Sequence, residues 1–249
     1  MHEDSAGDAD VLFGSLDLSG DRSAAMTASP PGGSDRHVIV LPGIHGRTPH
    51  VLDVCRRLVA GGHRAVVADF YCTAAQRGEI RGPADVASAV AALDDAAIAD
   101  GVAELADSLA PGGPVAVLGY CIGGTLGLLA TSRSDAVTAT VAYYGVLRHR
   151  GPLAEKGPDP LDSVGDTTVP VLAHYGTVDP WCSEQDVDDL EAKLAASGGA
   201  HGVYRYPGAG HAFEEPGSRG FRPVAAGESA RRTADFLDYY LTGPGVPTR

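Results

Sequence analysis

Five short apolar runs recur along this chain, each followed by a stretch of different, helical character. They read HVIVLPG (37–43), RAVVADF (64–70), PVAVLGY (114–120), VTATVAYYG (137–145) and VPVLAHYG (169–176). β-branched residues dominate them, and apolar side chains stand at successive rather than alternate positions. Such a strand has to be covered on both faces, as parallel strands inside an α/β sheet are. HGVYRYPG (201–208) fits as a sixth strand, and helix-like stretches lie at about 50–60, 84–109, 124–132, 183–197 and 227–241. Strand and helix taken in turn predict an α/β fold with a mostly parallel central sheet flanked by helices.

The segment 84–109 is Ala-rich and long enough for two helices or one bent one, with its acidic side read as a solvated face. Ahead of the first buried strand, weak alternation from Leu12 to Ala28 predicts a hairpin turning near Gly20 and Asp21. Residues 1–10 are polar and acidic and are expected to be disordered, leaving 11–249 as one domain, a usual length for an α/β sheet.

Charge narrows the partners. With 32 acidic against 19 basic residues the formal charge is −13, which argues against nucleic acid and anionic membrane surfaces. No run approaches the roughly 20 apolar residues of a membrane span. The cysteines at 55, 72, 121 and 182 form no CxxC pair and no zinc-like spacing. The opening MHEDSAGDAD lacks the features of a secretory signal, so a cytoplasmic protein with free thiols is expected. No feature of the sequence fixes the oligomeric state.

The segment LGYCIGGT (118–125) carries the chemistry. An apolar strand ends at Gly119, a one-residue turn holds Cys121, and a helix begins near Gly123–Thr125. Small residues must flank a side chain perched on such a turn. The helix N-terminus behind it favours a thiolate. With Cys in place of Ser, this is the nucleophile elbow G-x-S-x-G. The alternative is a tight turn around an inert buried cysteine, which is how Cys55, Cys72 and Cys182 are read.

Behind an elbow the expected chain order is nucleophile, acid, histidine. VPVLAHYG is followed by Thr177-Val178-Asp179-Pro180-Trp181, a strand end able to aim a carboxylate into a site. Asp179 could instead cap the helix at 183–197, in which Asp186, Asp188 and Asp189 are expected to be solvated. His211, in the glycine-rich YPGAGHAFEE, has the right position in the order. His174 lies within a strand and is read as a hydrogen-bonded core residue. His2, His37, His63, His149 and His201 are read as surface or strand-end residues, and His50 as part of a helix surface. On this reading His211 is the base, Asp179 orients it, and the backbone N–H groups of Ile122 and Ile44 form an oxyanion hole.

These segments together resemble the dienelactone hydrolase family. The likeness runs from about Ser15 to Leu241 and rests on VIVLPGIHG, VVADFY, VAVLGYCIGG, VAYYG, GTVDPW, GAGHAF and ARRTADFL. It implies an α/β-hydrolase core of about eight strands and a Cys121–Asp179–His211 triad. It also implies hydrolysis of a small-molecule ester or lactone with no metal or organic cofactor. Two positions depart from the family pattern. Gly43 stands where the family has a glutamate beside the cysteine. Glu215, next to Glu214, stands where it has an arginine that clamps a substrate carboxylate. Arg77 and Arg81 lie near the expected place of a second arginine, and Arg219 and Arg222 are further candidates.

His45, Tyr143, Tyr144 and Trp181 are expected near the pocket mouth, and His45, Arg81, Tyr144 and Trp181 are the candidate substrate-binding residues. A neutral or hydrophobic ester, lactone or thioester fits the altered charges best. Three other readings are considered. One is a non-hydrolytic acyl transferase, cyclase or isomerase on the same scaffold. Another is a non-catalytic small-molecule binding module. The third, a glutamine amidotransferase, needs His-x-Glu where this chain has His211-Ala-Phe-Glu214.

Overall fold

A computed structural model describes residues 11–16, 25–164 and 167–243. The predicted disorder of residues 1–10 and the predicted turn at Gly20 and Asp21 lie outside the described residues. Eight strands form one sheet: β1 (Leu12–Leu16), β2 (Ala25–Ser29), β3 (His37–Leu41), β4 (Arg64–Val67), β5 (Val115–Tyr120), β6 (Val137–Tyr143), β7 (Val171–Gly176) and β8 (His201–Tyr206). Their order is β1-β2-β4-β3-β5-β6-β7-β8. The strands from β3 onward are parallel to their neighbours. β1 and β2 pair antiparallel, and β2 runs antiparallel to β4, so this pair extends the sheet.

Among the described residues, eight α-helices connect or flank the strands: α1 (Pro49–Ala60), α2 (Thr73–Gln76), α3 (Pro83–Ala91), α4 (Asp95–Leu109), α5 (Ile122–Ala130), α6 (Pro160–Ser163), α7 (Glu184–Ser197) and α8 (Pro223–Thr242). The stretch 84–109 is therefore two helices, parted where Asp94 caps α4 by accepting from the Ala97 N–H at 3.0 Å.

Alternate strand residues serve opposite layers. Ile39 and Leu41 of β3 join Val115 and Val117 of β5 in the layer under α4, α5 and α7. Val38, Val40, Ala116 and Leu118 face the layer built with α1 and α8. All eight side chains are at most 1% exposed, which explains why β3 and β5 read as unbroken apolar runs. Burial of this kind contributes about 1.5–3 kcal/mol for each large aliphatic side chain.

The order of the strands also locates a crevice. From β3 the chain turns to β4 on one side, then returns to β5 on the other. Loops leaving the carboxyl ends of β3 and β5 thus diverge, and ligands of open α/β sheets settle at such a switch point.

Candidate active site

Cys121 sits on the turn between β5 and α5, at φ 56° and ψ −124°. Its N–H donates to the Tyr143 carbonyl at 3.0 Å, and its own carbonyl accepts from the Gly124 N–H at 2.9 Å. Glycines make the turn possible. A Cβ on Gly119 would lie 2.0 Å from the Gly123 carbonyl oxygen, and one on Gly123 would lie 2.2 Å from that of Leu41. Ile122 opens α5, so its N–H has no carbonyl one turn earlier to bond.

The acid and the histidine are brought together by two interlaced loops. Thr177 N–H donates to the Tyr206 carbonyl, Val178 N–H to that of Ala209, and Gly208 N–H to Thr177 Oγ1. Asp179 is buried, with Oδ1 accepting from the Trp181 N–H at 2.9 Å and Oδ2 lying 2.9 Å from His211 Nδ1. Helix α7 is capped by Ser183 instead, so capping does not account for Asp179. Burial opposes a charged His211 ring. The Cys121 charge, the hydrogen bonds the ring donates to Asp179 and Cys121, and the Asp179 charge outweigh it and raise the imidazole to about 10.

Cys121, Ile122, Ile44 and His211 border a single cavity of about 250 Å³. Its walls are Val51, Val86, Ala87, Val90, Val146 and Leu153, with Gly43, His45, Thr48, Tyr144, Trp181 and Glu215 among the remaining lining residues. Tyr144 stands edge-on to His211, with ring centroids 5.1 Å apart. Among the described residues, the non-glycine residues at positive φ are Cys121, Tyr144 and Ala212. All three line this cavity. Backbone strain of about 1–3 kcal/mol apiece is thus concentrated at one place, as it is at sites under functional constraint.

Gly43 lies beside the elbow, since a Cβ there would be 3.5 Å from the Cys121 Cβ. His45, Tyr144 and Trp181 line the cavity, whereas Arg81, Arg77, Arg222 and Tyr143, considered for the pocket from the sequence, lie outside its lining. Arg81 is exposed and outside the cavity lining, its backbone N–H bonded to Asp85 on the surface. Arg77 pairs with Glu79, and Arg222 is taken up by the Gly208 and Phe221 carbonyls. Tyr143 points to the α8 side of the sheet, where its hydroxyl meets Thr233 Oγ1 at 2.7 Å.

Several titratable residues are also deeper than their sequence context implies. His50 is buried, with Nε2 2.7 Å from Glu214 Oε2 but out of line for a hydrogen bond. Glu214 Oε1 accepts from Arg57 at 2.7 Å. His37 and His63 are buried, as is the side chain of His149. Asp186, expected in solvent, is fully buried between the Ser183 cap and Arg150. His174 is a core residue as read, bonded to Tyr206 and Thr233, and burial lowers it to about 3.

Sequence reasoning missed Thr48, His50 and the α3 residues Val86, Ala87 and Val90 as lining residues, whereas it had set Glu215 at a substrate-facing position. The α3 trio had a signal in its helical spacing, which marks an apolar stripe.

A mostly parallel sheet with a sharp strand–turn–helix elbow at its switch point is the architecture of an α/β-hydrolase. Residues 23–241 match the dienelactone hydrolase family. A Rhodococcus opacus carboxymethylenebutenolidase is 31% identical over 87% of this chain and 86% of its own. A Bradyrhizobium protein named as a probable 2-oxo-3-(5-oxofuran-2-ylidene)propanoate lactonase is 32% identical, over 83% of this chain and 84% of its own. The crystal structure of a Klebsiella pneumoniae protein assigned to the dienelactone hydrolases superposes with a TM-score of 0.82 at 25% identity, covering 92% of this chain and 99% of that one. The chain belongs to the dienelactone hydrolase family, and with it to the hydrolases that open esters and lactones.

Proposed function

We propose that this protein hydrolyses neutral carboxylic esters or lactones through a thioester on Cys121. The observation that carries this reading is the meeting of Cys121, His211 and the Ile44 and Ile122 backbone in one cavity, with Asp179 on the outer ring nitrogen of His211. The Cys121 sulfur attacks the substrate carbonyl while His211 holds the thiol proton. A C–S bond forms, and the carbonyl electron pair moves to oxygen, where the two N–H groups stabilise it. Collapse breaks the acyl C–O bond, and the His211 proton leaves with the alkoxide. Water then gives its proton to His211 and attacks the thioester. Collapse of this second tetrahedral intermediate breaks the C–S bond, the acid departs, and the His211 proton returns to sulfur. Throughout, Asp179 keeps Nδ1 protonated and steadies the imidazolium.

The restriction to neutral substrates rests on the walls. No Lys or Arg borders the cavity among the described residues, and Glu215 contributes a carboxylate to it. A substrate anion would meet a like charge with no Lys or Arg of the lining to clamp it, and the His211 ring is already engaged by Asp179. The curated relatives named above bear names of lactone hydrolases, one of them acting on a propanoate. Glu215 distinguishes the substrate range proposed for this chain from that one.

The test is a panel of esters and lactones, neutral and carboxylate-bearing, assayed with wild type, Cys121→Ala and Glu215→Gln. Turnover is expected for neutral substrates and is expected to vanish in Cys121→Ala. Glu215→Gln is expected to raise kcat/KM for the carboxylates about tenfold and to leave neutral substrates within about twofold, since a removed repulsion of 1.4 kcal/mol is a factor of ten. Wild-type preference for the carboxylates would overturn the substrate assignment alone. Persistent turnover in Cys121→Ala would overturn the mechanism. Rearranged or transferred products, with no free acid, would favour a non-hydrolytic acyl-transfer enzyme.

A further inference from the structure

Two strand ends meet beside the elbow. β3 and β4 are parallel neighbours, so the segments that follow them, 42–47 and 68–72, leave the sheet at the same edge. Three links tie these segments together. The Tyr71 hydroxyl donates to the Pro42 carbonyl at 2.5 Å, and Cys72 Sγ donates to the Gly43 carbonyl at 3.4 Å. Arg47 Nε lies 2.8 Å from Asp69 Oδ2. The Gly43 carbonyl also accepts from the Gly46 N–H at 2.9 Å. Gly46 is at φ 71°, and a Cβ there would approach the Cys72 Cβ to 3.3 Å, so the loop closes tightly over the thiol.

The consequence lies in the peptide unit that joins Gly43 to Ile44. Its carbonyl and its N–H belong to one plane and, in the trans form, point in opposite directions. Cys72 Sγ and the Gly46 N–H, the two donors that capture the Gly43 oxygen, therefore fix the direction of the Ile44 N–H, while the Tyr71 hydroxyl anchors the preceding peptide by its Pro42 carbonyl. That N–H has no hydrogen-bond acceptor among the described residues, and Gly43, Ile44 and Cys121 border the same cavity. The donors are durable. Burial pushes both the Tyr71 phenol and the Cys72 thiol well up, so each keeps its proton.

We propose that Cys72, on the Gly43 carbonyl, and Tyr71, on the Pro42 carbonyl one peptide earlier, are positioning residues that hold the Gly43–Ile44 peptide with its N–H turned into the cavity, ready for a developing oxyanion. This rests on the Cys121 acyl-enzyme reading given above. It gives Cys72, otherwise an inert buried thiol, a defined part in the site.

The experiment separates the oxyanion site from the nucleophile. Hydrolysis of p-nitrophenyl acetate needs both, whereas alkylation of Cys121 by iodoacetamide is a displacement at carbon that forms no oxyanion. Tyr71→Phe, Cys72→Ala and Cys72→Ser are made in the full chain and compared with wild type, with Cys121→Ala as the labelling blank. Tyr71→Phe is expected to lower kcat about 10- to 100-fold, within the cost of losing one oxyanion donor. Cys72→Ala is expected to lower it several-fold and Cys72→Ser to recover most of the loss, with KM and the alkylation rate within about twofold of wild type throughout. Unchanged kcat in the Tyr71 and Cys72 variants would overturn the proposal, and so would parallel losses of kcat and alkylation, because the residues would then act on the nucleophile or the fold. Should Tyr71→Phe fail to fold, the contrast between Cys72→Ala and Cys72→Ser decides. Full turnover by Cys121→Ala would strike the underlying mechanism instead, and is read separately.

Discussion

His211 Nδ1 and Asp179 Oδ2 lie 2.9 Å apart, joining a loop after β7 to one after β8. The second oxygen of the same carboxylate accepts from the Trp181 N–H, so Asp179 is held from both sides and cannot swing away from the ring without losing a backbone partner. The imidazole is thereby given one tautomer, with Nε2 left for the sulfur.

Asp179→Asn keeps the shape and removes the charge. Turnover is expected to fall by up to about 10⁴, the cost of a mis-set tautomer in a serine triad. His211→Ala is expected to fall further, because the proton acceptor itself is gone. Steady-state kcat/KM on one neutral ester checks both. An Asp179→Asn enzyme as damaged as His211→Ala would mean that the carboxylate does more than orient.

The raised His211 has a consequence for stability. A histidine raised from its ordinary 6.5 to about 10 binds a proton in the folded state that the unfolded chain gives up sooner. The stabilisation is complete below pH 6.5 and is lost as pH rises through about 10. Urea unfolding of wild type and Asp179→Asn at pH 6, 8 and 10.5 measures it. The gap between the two proteins is expected to persist at pH 6 and 8 and to shrink at pH 10.5. A constant gap across the series would show that Asp179 contributes nothing to stability through the ring charge, leaving Cys121 as the source of the shift.

Gly43 offers a further test. A Cβ built there meets only the Cys121 Cβ at 3.5 Å and the Tyr120 carbonyl oxygen at 3.9 Å, so the first carbon of a side chain fits without displacing backbone. Gly43→Glu is expected to fold and to change the iodoacetamide reactivity of Cys121 at least several-fold, since a carboxylate so near the sulfur alters the energy of the thiolate. Labelling at wild-type rate would mean that the new side chain turns away from the elbow.

The sheet and its elbow were legible because their causes are local. β3 and β5 are apolar at every position since both faces are covered, and Gly119 and Gly123 mark a turn that tolerates no Cβ. The positions of Asp179 and His211 were legible from their order behind the elbow. What the sequence hid depends on distant partners. His50 follows a proline at a helix start, a context that reads as surface, but it is buried against Glu214 from the far end of the chain. Asp186 stands among acidic neighbours that do face solvent, yet Arg150 and the Ser183 cap enclose it. Cys72 shows no motif, and its contact with the Gly43 carbonyl exists only because β3 and β4 are adjacent.

Whether sulfur carries the acyl group is read most directly by intact-protein mass spectrometry during turnover of a slowly hydrolysed neutral ester. The expected result is a transient mass increase equal to the acyl group. It should be located by peptide mapping to Cys121, be absent in Cys121→Ala, and decay at the rate of acid release. Steady turnover in Cys121→Ala, or an acyl group found on another residue, would contradict the account.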